Sequence, residues 1–161
     1  MSDWAVISLG NRFRGDDSVG PYVLHRLRPH IEPAVPCIEN GGDMANLLEV
    51  WKDRYVCLVD AVADDDLTTG AILRLDGLAA EILPSLCTTS SHGINLGEAL
   101  EMGRLIQALP QRLEIYGICG ENFAISAGLS PAVQAAAEIV EQEILALLNT
   151  HSGGSLCTNI P

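Results

Sequence analysis

The sequence has few basic residues. It contains 9 Lys and Arg against 21 Asp and Glu in 161 residues, which gives a formal net charge of −12. Nucleic-acid binding relies on clustered Lys and Arg, so this composition argues against a nucleic-acid partner. No apolar run approaches the ~20 residues of a membrane span, and no charged segment followed by an apolar one marks a signal peptide. We therefore expect a cytoplasmic protein with no membrane partner.

Several sequence motifs of common enzymes and metal sites are also missing. There is no Walker A motif, no Gly-x-Gly-x-x-Gly after a strand, no Gly-x-Ser-x-Gly and no His-Glu-x-x-His. These absences argue against nucleotide binding, an α/β serine hydrolase and a conventional zinc peptidase. No Cys-x-x-Cys pair occurs, which disfavours a zinc ribbon or a thioredoxin-type site, and the odd cysteine count indicates a reducing compartment. The five cysteines are Cys37, Cys57, Cys87, Cys119 and Cys157. We expect most of them to be small buried hydrophobes. The exception is Cys119, which is predicted in a loop at the rim of the sheet.

The remaining sequence is that of one α/β domain, residues 1–149, followed by a polar tail, residues 150–161. Hydrophobic residues make up 48% of the chain, enough for one sizeable core. Alternating strand and helix patterns predict a mostly parallel sheet with helices on both faces. The predicted strands are 4–9, 33–38, 55–62, 70–76 and 113–118. The predicted helices are 19–29, 43–51, 78–86, 95–109 and one that begins at Ser130-Pro131, and residues 117–122 are predicted as a glycine-bearing loop.

The segment from Leu9 to Pro21 joins the first predicted strand to the first predicted helix. Gly10 and Gly15 permit backbone angles that other residues resist. Ser18 is a plausible helix N-cap, and Pro21 suits a first helical turn. Loops of this kind carry the ligand chemistry of open α/β sheets, because they lie at the carboxyl ends of the strands.

Three side chains that could bind a metal or take part in catalysis are predicted at the carboxyl ends of the strands. Asp17 lies in the first loop, Asp60 lies near the end of the most apolar strand, and His92 lies in a Thr/Ser-rich loop before a helix. An aspartate inside a buried run needs a partner or a function. Together the three are suitable ligands for a borderline divalent metal, or an acid–base set without metal. Individually they have simpler interpretations, as a helix cap, a strand-ending turn and a loop hydrogen-bonder.

Three sequence blocks resemble those of the hydrogenase maturation proteases, the endopeptidases that finish the large subunit of nickel–iron hydrogenases. The family's opening block resembles Gly10-Asn11 together with residues 15–20 (Gly-Asp-Asp-Ser-Val-Gly). Its second block resembles residues 59–61 (Val-Asp-Ala). Its third block resembles residues 91–100, which start at Ser91-His92-Gly93. Gly117-Ile118 and 128–133 (Gly-Leu-Ser-Pro-Ala-Val) resemble the closing segments. The order and spacing of the blocks, over residues 5 to about 148, carry the resemblance. Ser18 and 119–121 (Cys-Gly-Glu) depart from the family's pattern.

This resemblance implies a three-layer sandwich with a five-stranded twisted sheet. It implies that Asp17, Asp60 and His92 contact a metal and serve catalysis. The metal would be nickel held by the substrate, a hydrogenase large-subunit precursor, from which the enzyme removes a C-terminal extension. The alternative from another class is a non-catalytic metal-binding or chaperone-like module that docks on a metalloprotein. Because the apolar stripe of the last helix is expected to face the core, we expect a monomer.

Overall fold

The computed structural model describes residues 3–79 and 95–151, and in these ranges the chain alternates strands and helices. The strands are β1 (Trp4–Leu9), β2 (Cys37–Asn40), β3 (Tyr55–Val62), β4 (Ile72–Asp76) and β5 (Arg112–Cys119). The helices are α1 (Val19–Ile31), α2 (Met44–Trp51), α3 (Leu96–Leu105) and α4 (Pro131–His151), with one 3-10 turn at Gly15–Ser18. The predicted α/β class is confirmed. None of the helices in these ranges has the length and apolarity that a bilayer crossing requires.

The five strands form one sheet in the order β2-β1-β3-β5-β4. The pairs β1–β2, β1–β3 and β3–β5 are parallel, and β4 is antiparallel to β5 at an edge. Thus β1 and β3 lie side by side near the middle, with their carboxyl ends at the same edge. The loops that follow β1, β3 and β5 therefore meet at that edge of the sheet, which we call the carboxyl rim.

Two apolar cores cover the two faces of the sheet. On one face, β1, β3 and β5 pack against α1 and α4, through residues such as Val23 and Val140. On the other face they pack against α2 and α3, where Trp51 is fully buried and its ring N–H donates to the Ala108 carbonyl at 2.7 Å. The central strand β3 alternates between both cores, which explains its nearly continuous apolar sequence.

Two helix predictions are confirmed in detail and one is corrected. Asp43 caps α2, accepting a hydrogen bond from the Asn46 N–H, and Pro131 begins α4. The helix predicted to run to residue 109 ends at Leu105, and Ile106, just beyond its end, is 54% exposed. The reason is that Gln107 has a φ of 58°, a left-handed conformation that ends a helix before Pro110 does.

Other boundaries also differ from the predictions. Strand β2 begins at Cys37, four residues after the predicted start. Residue 119 was expected in a loop, and residues 117 and 118 where the strand and loop predictions overlap, but all three complete β5, where Gly117 and Cys119 pair with Asp60 and Val62. The last helix reaches His151, inside the predicted tail. The predicted helix at 78–86 lies mostly outside the described residues, as do residues 152–161.

Candidate active site

The loop between β1 and α1 depends on two glycines. Gly10 has a φ of 110°, and a Cβ placed there would lie 2.3 Å from the Asp17 carbonyl oxygen. Gly15 has a φ of 53°, and its Cβ would lie 2.1 Å from the Asn122 carbonyl oxygen. Both positions therefore require glycine, because of the backbone conformation and because there is no space for a Cβ. The sequence predicted the first of these two reasons. The loop folds tightly back on itself and against the segment that follows β5.

Asp17 lies in the 3-10 turn at the end of this loop, with a side chain that is fully buried. Its Oδ2 accepts a hydrogen bond from the Asn11 N–H at 2.9 Å. The Asn11 side chain in turn accepts from the Phe13 N–H at 2.8 Å. These contacts fix the position of the Asp17 carboxylate relative to the first residues of the loop.

Asp60 is the single charged residue in β3, and 1% of it is exposed. Its Oδ1 accepts a hydrogen bond from the Ala61 N–H at 2.8 Å. The residue in register with it on β5 is Gly117, which has no side chain. Since registered residues of parallel strands project to the same face, Gly117 leaves the β5 side of the Asp60 carboxylate uncrowded.

Asp17 and Asp60 lie at the same edge of the sheet. The 3-10 turn that carries Asp17 packs against β3. The first turn of α1 also packs tightly there, since a Cβ at Gly20 would lie 2.6 Å from the Leu9 carbonyl oxygen and 2.9 Å from that of Val59. The structure thus places two of the three predicted site residues at the carboxyl rim, on adjacent segments.

The third predicted residue, His92, lies outside the described residues. Within residues 3–79 and 95–151, no group of three His, Cys, Asp or Glu side chains is arranged to hold a metal ion. The described part of the site therefore supplies two carboxylates, each oriented by a backbone N–H. Carboxylate oxygen is a fitting ligand for a divalent cation, so the chemistry of this pair fits part of a metal site. The roles of Asp17, Asp60 and His92 stay predictions.

The sequence interpretation missed the role of Asp16, which is also fully buried. Its Oδ1 accepts from the Ser130 N–H at 2.7 Å. Its Oδ2 accepts from the Glu121 N–H at 2.9 Å, the Asn122 N–H at 3.1 Å and the Ser130 hydroxyl at 2.7 Å. These four hydrogen bonds tie the β1–α1 loop to the segment between β5 and α4. An acidic residue next to Asp17 was visible in the sequence, but its partners are more than a hundred residues away.

The environment of Asp16 favours its charged form. Burial alone would raise the pKa of this carboxyl group, but the hydrogen bonds from Ser130, Glu121 and Asn122 outweigh burial and hold the pKa below its ordinary value. Two backbone hydrogen bonds add to the connection, from the Asp16 N–H to the Asn122 carbonyl at 2.8 Å and from the Ser126 N–H to the Phe13 carbonyl at 2.9 Å. Asp16 therefore stays ionised as a structural link between two rim loops.

The structure refines one sequence prediction at the rim and corrects another. Ser18 is the N-cap residue of α1, as predicted, but its side chain makes no capping hydrogen bond and donates to the Gly15 carbonyl at 2.6 Å, because a 3-10 turn precedes the helix. Cys119 ends β5 rather than lying in a loop, and it is 2% exposed. Its sulfur lies 3.6 Å from the Asp64 carbonyl oxygen and 3.7 Å from that of Leu67. Burial raises the pKa of the Cys119 thiol, so it suits packing better than nucleophilic attack.

The fold is that of the hydrogenase maturation endopeptidases, a class of peptide hydrolases. In sequence the chain is 26% identical over 148 residues to the hydrogenase 2 maturation protease of Escherichia coli K12, covering 89% of this chain and 88% of that protein. The structure of a hydrogenase maturating endopeptidase from E. coli matches with a TM-score of 0.77 and 25% identity, over 95% of this chain and 94% of the other. The solution structure of an E. coli endopeptidase matches with a TM-score of 0.79 and 26% identity, over the same shares.

The structure of a [NiFe] hydrogenase maturation protease from Thermococcus kodakarensis matches with a TM-score of 0.67 and 18% identity, over 91% of this chain and 99% of the other. At this identity the match supports the fold alone. No protein-family model matches the sequence. The resemblance predicted from the three sequence blocks is nevertheless confirmed in sequence and in structure, and the chain is a peptide hydrolase. The alternative of a non-catalytic docking module is not favoured.

Proposed function

We propose that this enzyme removes a C-terminal extension from the nickel-loaded large-subunit precursor of a [NiFe] hydrogenase. The names of the E. coli relatives support a hydrogenase as the object of maturation. The observation that carries the proposal is the pair of buried carboxylates, Asp17 and Asp60, held on two different segments at one end of the sheet. The free thiols of Cys37, Cys57 and Cys119 accord with a reducing cytoplasm as the place of action.

In this proposal the nickel ion belongs to the substrate, and the enzyme reads it. Asp17 and Asp60 would contact the ion through carboxylate oxygens, and His92 would add an imidazole nitrogen. Such a set holds fewer ligands than a closed metal site, so it can accept an ion that is already bound by another protein. The substrate's own ligands would complete the coordination. Recognition of the metal would then bring the scissile segment of the precursor to the rim.

Two chemical routes to hydrolysis are consistent with this arrangement. The metal can polarise the scissile carbonyl or activate a water molecule, as bound divalent ions do in other hydrolases. A carboxylate or imidazole can instead act as a general base toward water. In this proposal Asp17 and Asp60 act through their negative charge, so asparagine, which has the same size without the charge, should not replace either of them.

The test compares two forms of the same precursor, one loaded with nickel and one prepared without it, at equal protein concentrations. The purified enzyme is incubated with each, and the products are weighed by mass spectrometry. We expect loss of one C-terminal peptide from the nickel-loaded form and little cleavage of the nickel-free form. Equal cleavage of both forms would show that nickel is not read and would move the three residues to an ordinary acid–base role. No cleavage of either form would contradict the proposed function.

A further inference from the structure

A surface groove lies next to the candidate site. It has a volume of about 370 Å³ and is lined by Arg12, Ser18, Pro21, Tyr22 and His25. The four lining residues from Ser18 onward follow the spacing i, i+3, i+4 and i+7, which places them along one side of α1. Arg12 faces them from the β1–α1 loop. The groove is therefore a furrow between the loop and the helix, and it begins one residue from Asp17.

The groove is rich in hydrogen-bond donors that suit an anion. The guanidinium of Arg12 contacts Glu39 through Nε at 2.9 Å and through Nη2 at 2.5 Å. A guanidinium has five N–H donors, so three remain for which the described residues show no partner. The Arg12 side chain is 58% exposed, and His25 is exposed as well. Arg26 lies beside the groove, with its guanidinium carbon 5.8 Å from the centre of the Tyr22 ring, but its Nε is paired with the buried Glu141 carboxylate at 2.5 Å.

The position of these cations is notable against the charge of the whole chain. Only 9 basic residues oppose 21 acidic ones, yet Arg12, Arg14, Arg26 and Arg28 all lie within residues 12–28. In that same range the acidic residues are Asp16 and Asp17, both fully buried. Glu39 and Glu141, from other segments, offset the charges of Arg12 and Arg26. The attraction for an anionic ligand therefore rests on the remaining N–H donors of the exposed Arg12 guanidinium, in a molecule whose net charge otherwise repels anions.

We infer that this groove binds a carboxylate-bearing segment of the polypeptide substrate while another part of that substrate reaches Asp17 and Asp60. The inference rests on the proposed function, and it adds a subsite for an acidic side chain of the substrate. The connection is short: Asn11, which donates to the Asp17 carboxylate, is the immediate neighbour of Arg12. A carboxylate held by Arg12 would therefore fix the substrate relative to the candidate active site. Glu39 competes with the substrate for the same guanidinium.

This competition allows two substitutions with opposite expected results. Arg12→Gln removes the cation, and we expect the KM for the precursor to rise about tenfold with little change in kcat, as for loss of a charge-assisted hydrogen bond. Glu39→Gln removes the competitor and leaves Arg12 charged, and we expect the KM to fall by about two- to fivefold. His25→Gln should raise the KM by less than Arg12→Gln. The matched control is Arg104→Gln, an exposed arginine in the last turn of α3, which should leave KM unchanged.

The possible outcomes distinguish substrate binding in the groove from a structural role of the Arg12–Glu39 ion pair. They also distinguish failure of the inference from failure of the proposed function. If Arg12→Gln and Glu39→Gln both raise the KM, the pair acts by holding the loop and the subsite is wrong. If both behave like Arg104→Gln, the groove is not used. If the wild-type enzyme cleaves no precursor, the proposed function fails, and the groove is tested directly. Acetyl-Ala-Glu-Ala-amide should then shift the NMR signals of the Arg12 side chain and the His25 ring more than its Gln counterpart does; equal shifts would overturn the inference.

Discussion

Asp16 and Asp17 are adjacent, equally buried aspartates that serve different parts of the rim. Asp16 accepts four hydrogen bonds, all from residues 121–130 on a distant segment. The Asp17 carboxylate accepts a backbone hydrogen bond from its own loop, and Asp60 accepts one from the next residue of its own strand. The comparison teaches that burial alone does not distinguish a structural aspartate from a candidate catalytic one. What marks Asp16 as structural is that its donors come from a distant segment of the chain.

The same chemical change, aspartate to asparagine, should therefore have opposite consequences at these positions. Asparagine keeps one acceptor oxygen, which can still accept the Asn11 N–H at position 17 or the Ala61 N–H at position 60. At Asp16 both oxygens receive N–H or O–H donors, so an amide NH₂ would face at least one N–H donor. Loss of the charge should therefore lower activity at Asp17 and Asp60, and it should lower stability at Asp16.

The largest effect is expected on activity, for Asp17→Asn and Asp60→Asn. Each should reduce cleavage of the nickel-loaded precursor by about 10²-fold or more, because the charged carboxylate serves the reaction. Cleavage rates are followed by mass spectrometry, and folding by circular dichroism and urea denaturation. We expect urea midpoints close to that of the wild type.

The exposed Asp65→Asn provides the matched control, since it removes the same charge at a surface position. It should retain full activity. Should Asp60→Asn simply unfold the protein, Asp60 would be a structural residue and its assignment to the site would be lost. Full activity in either rim variant would equally contradict its assignment.

The second expected effect is on stability, for Asp16→Asn. The substitution disrupts a set of charge-assisted hydrogen bonds, and we expect the free energy of unfolding to fall by about 3 kcal/mol. Urea denaturation measures the change. A variant as stable as Asp65→Asn would show that the link between the two rim loops contributes little.

A smaller effect is expected for Ser130→Ala, which removes one of the four donors to Asp16 and keeps the backbone N–H of the same residue. The cost should be about 1 kcal/mol. Ser130→Thr retains a hydroxyl and should recover most of that loss. If Ser130→Ala and Ser130→Thr prove equally unstable, the cost arises from backbone effects at the start of α4 rather than from the hydroxyl.

The smallest effect is a pH dependence. Hydrogen bonding holds the Asp16 pKa below its ordinary value, so between the two values the unfolded state binds more protons than the folded state. This contribution to stability is complete above the ordinary pKa of an aspartate and is lost as the pH falls through the lowered pKa of the folded state. Urea midpoints measured from pH ~5 down to pH ~3 should fall more steeply in Asp65→Asn than in Asp16→Asn. Parallel curves would contradict the assignment.

The fold was largely predictable because its signals are local. The apolar run of β3 and the i, i+3, i+4, i+7 pattern of α2 each depend on neighbouring residues. The end of α3 was not predictable, because a left-handed Gln107 carries no sequence signal of the strength that glycine or proline has. The placement of Asp17 and Asp60 at one rim followed from the rule that parallel strands end at the same edge.

The division of roles between Asp16 and Asp17 was not predictable from the sequence. It depends on Ser130, which lies 114 residues from Asp16 along the chain. The two carboxylates have the same chemistry and differ only in which way the 3-10 turn directs each of them. Similarly, only the structure shows that Arg12 is shared between Glu39 and an open groove.

The buried thiols bear on the proposed recognition of a metal ion held by the substrate. Burial raises the pKa of Cys37 to about 11, and it raises the pKa values of Cys57 and Cys119 as well. At neutral pH the thiol form therefore predominates at Cys37, whereas the thiolate is the form that binds soft metals tightly. If the proposed function holds, thiols with raised pKa values would compete poorly for an ion that the substrate already binds. The oxygen ligands at the carboxyl rim could then contact the metal centre without extracting the ion.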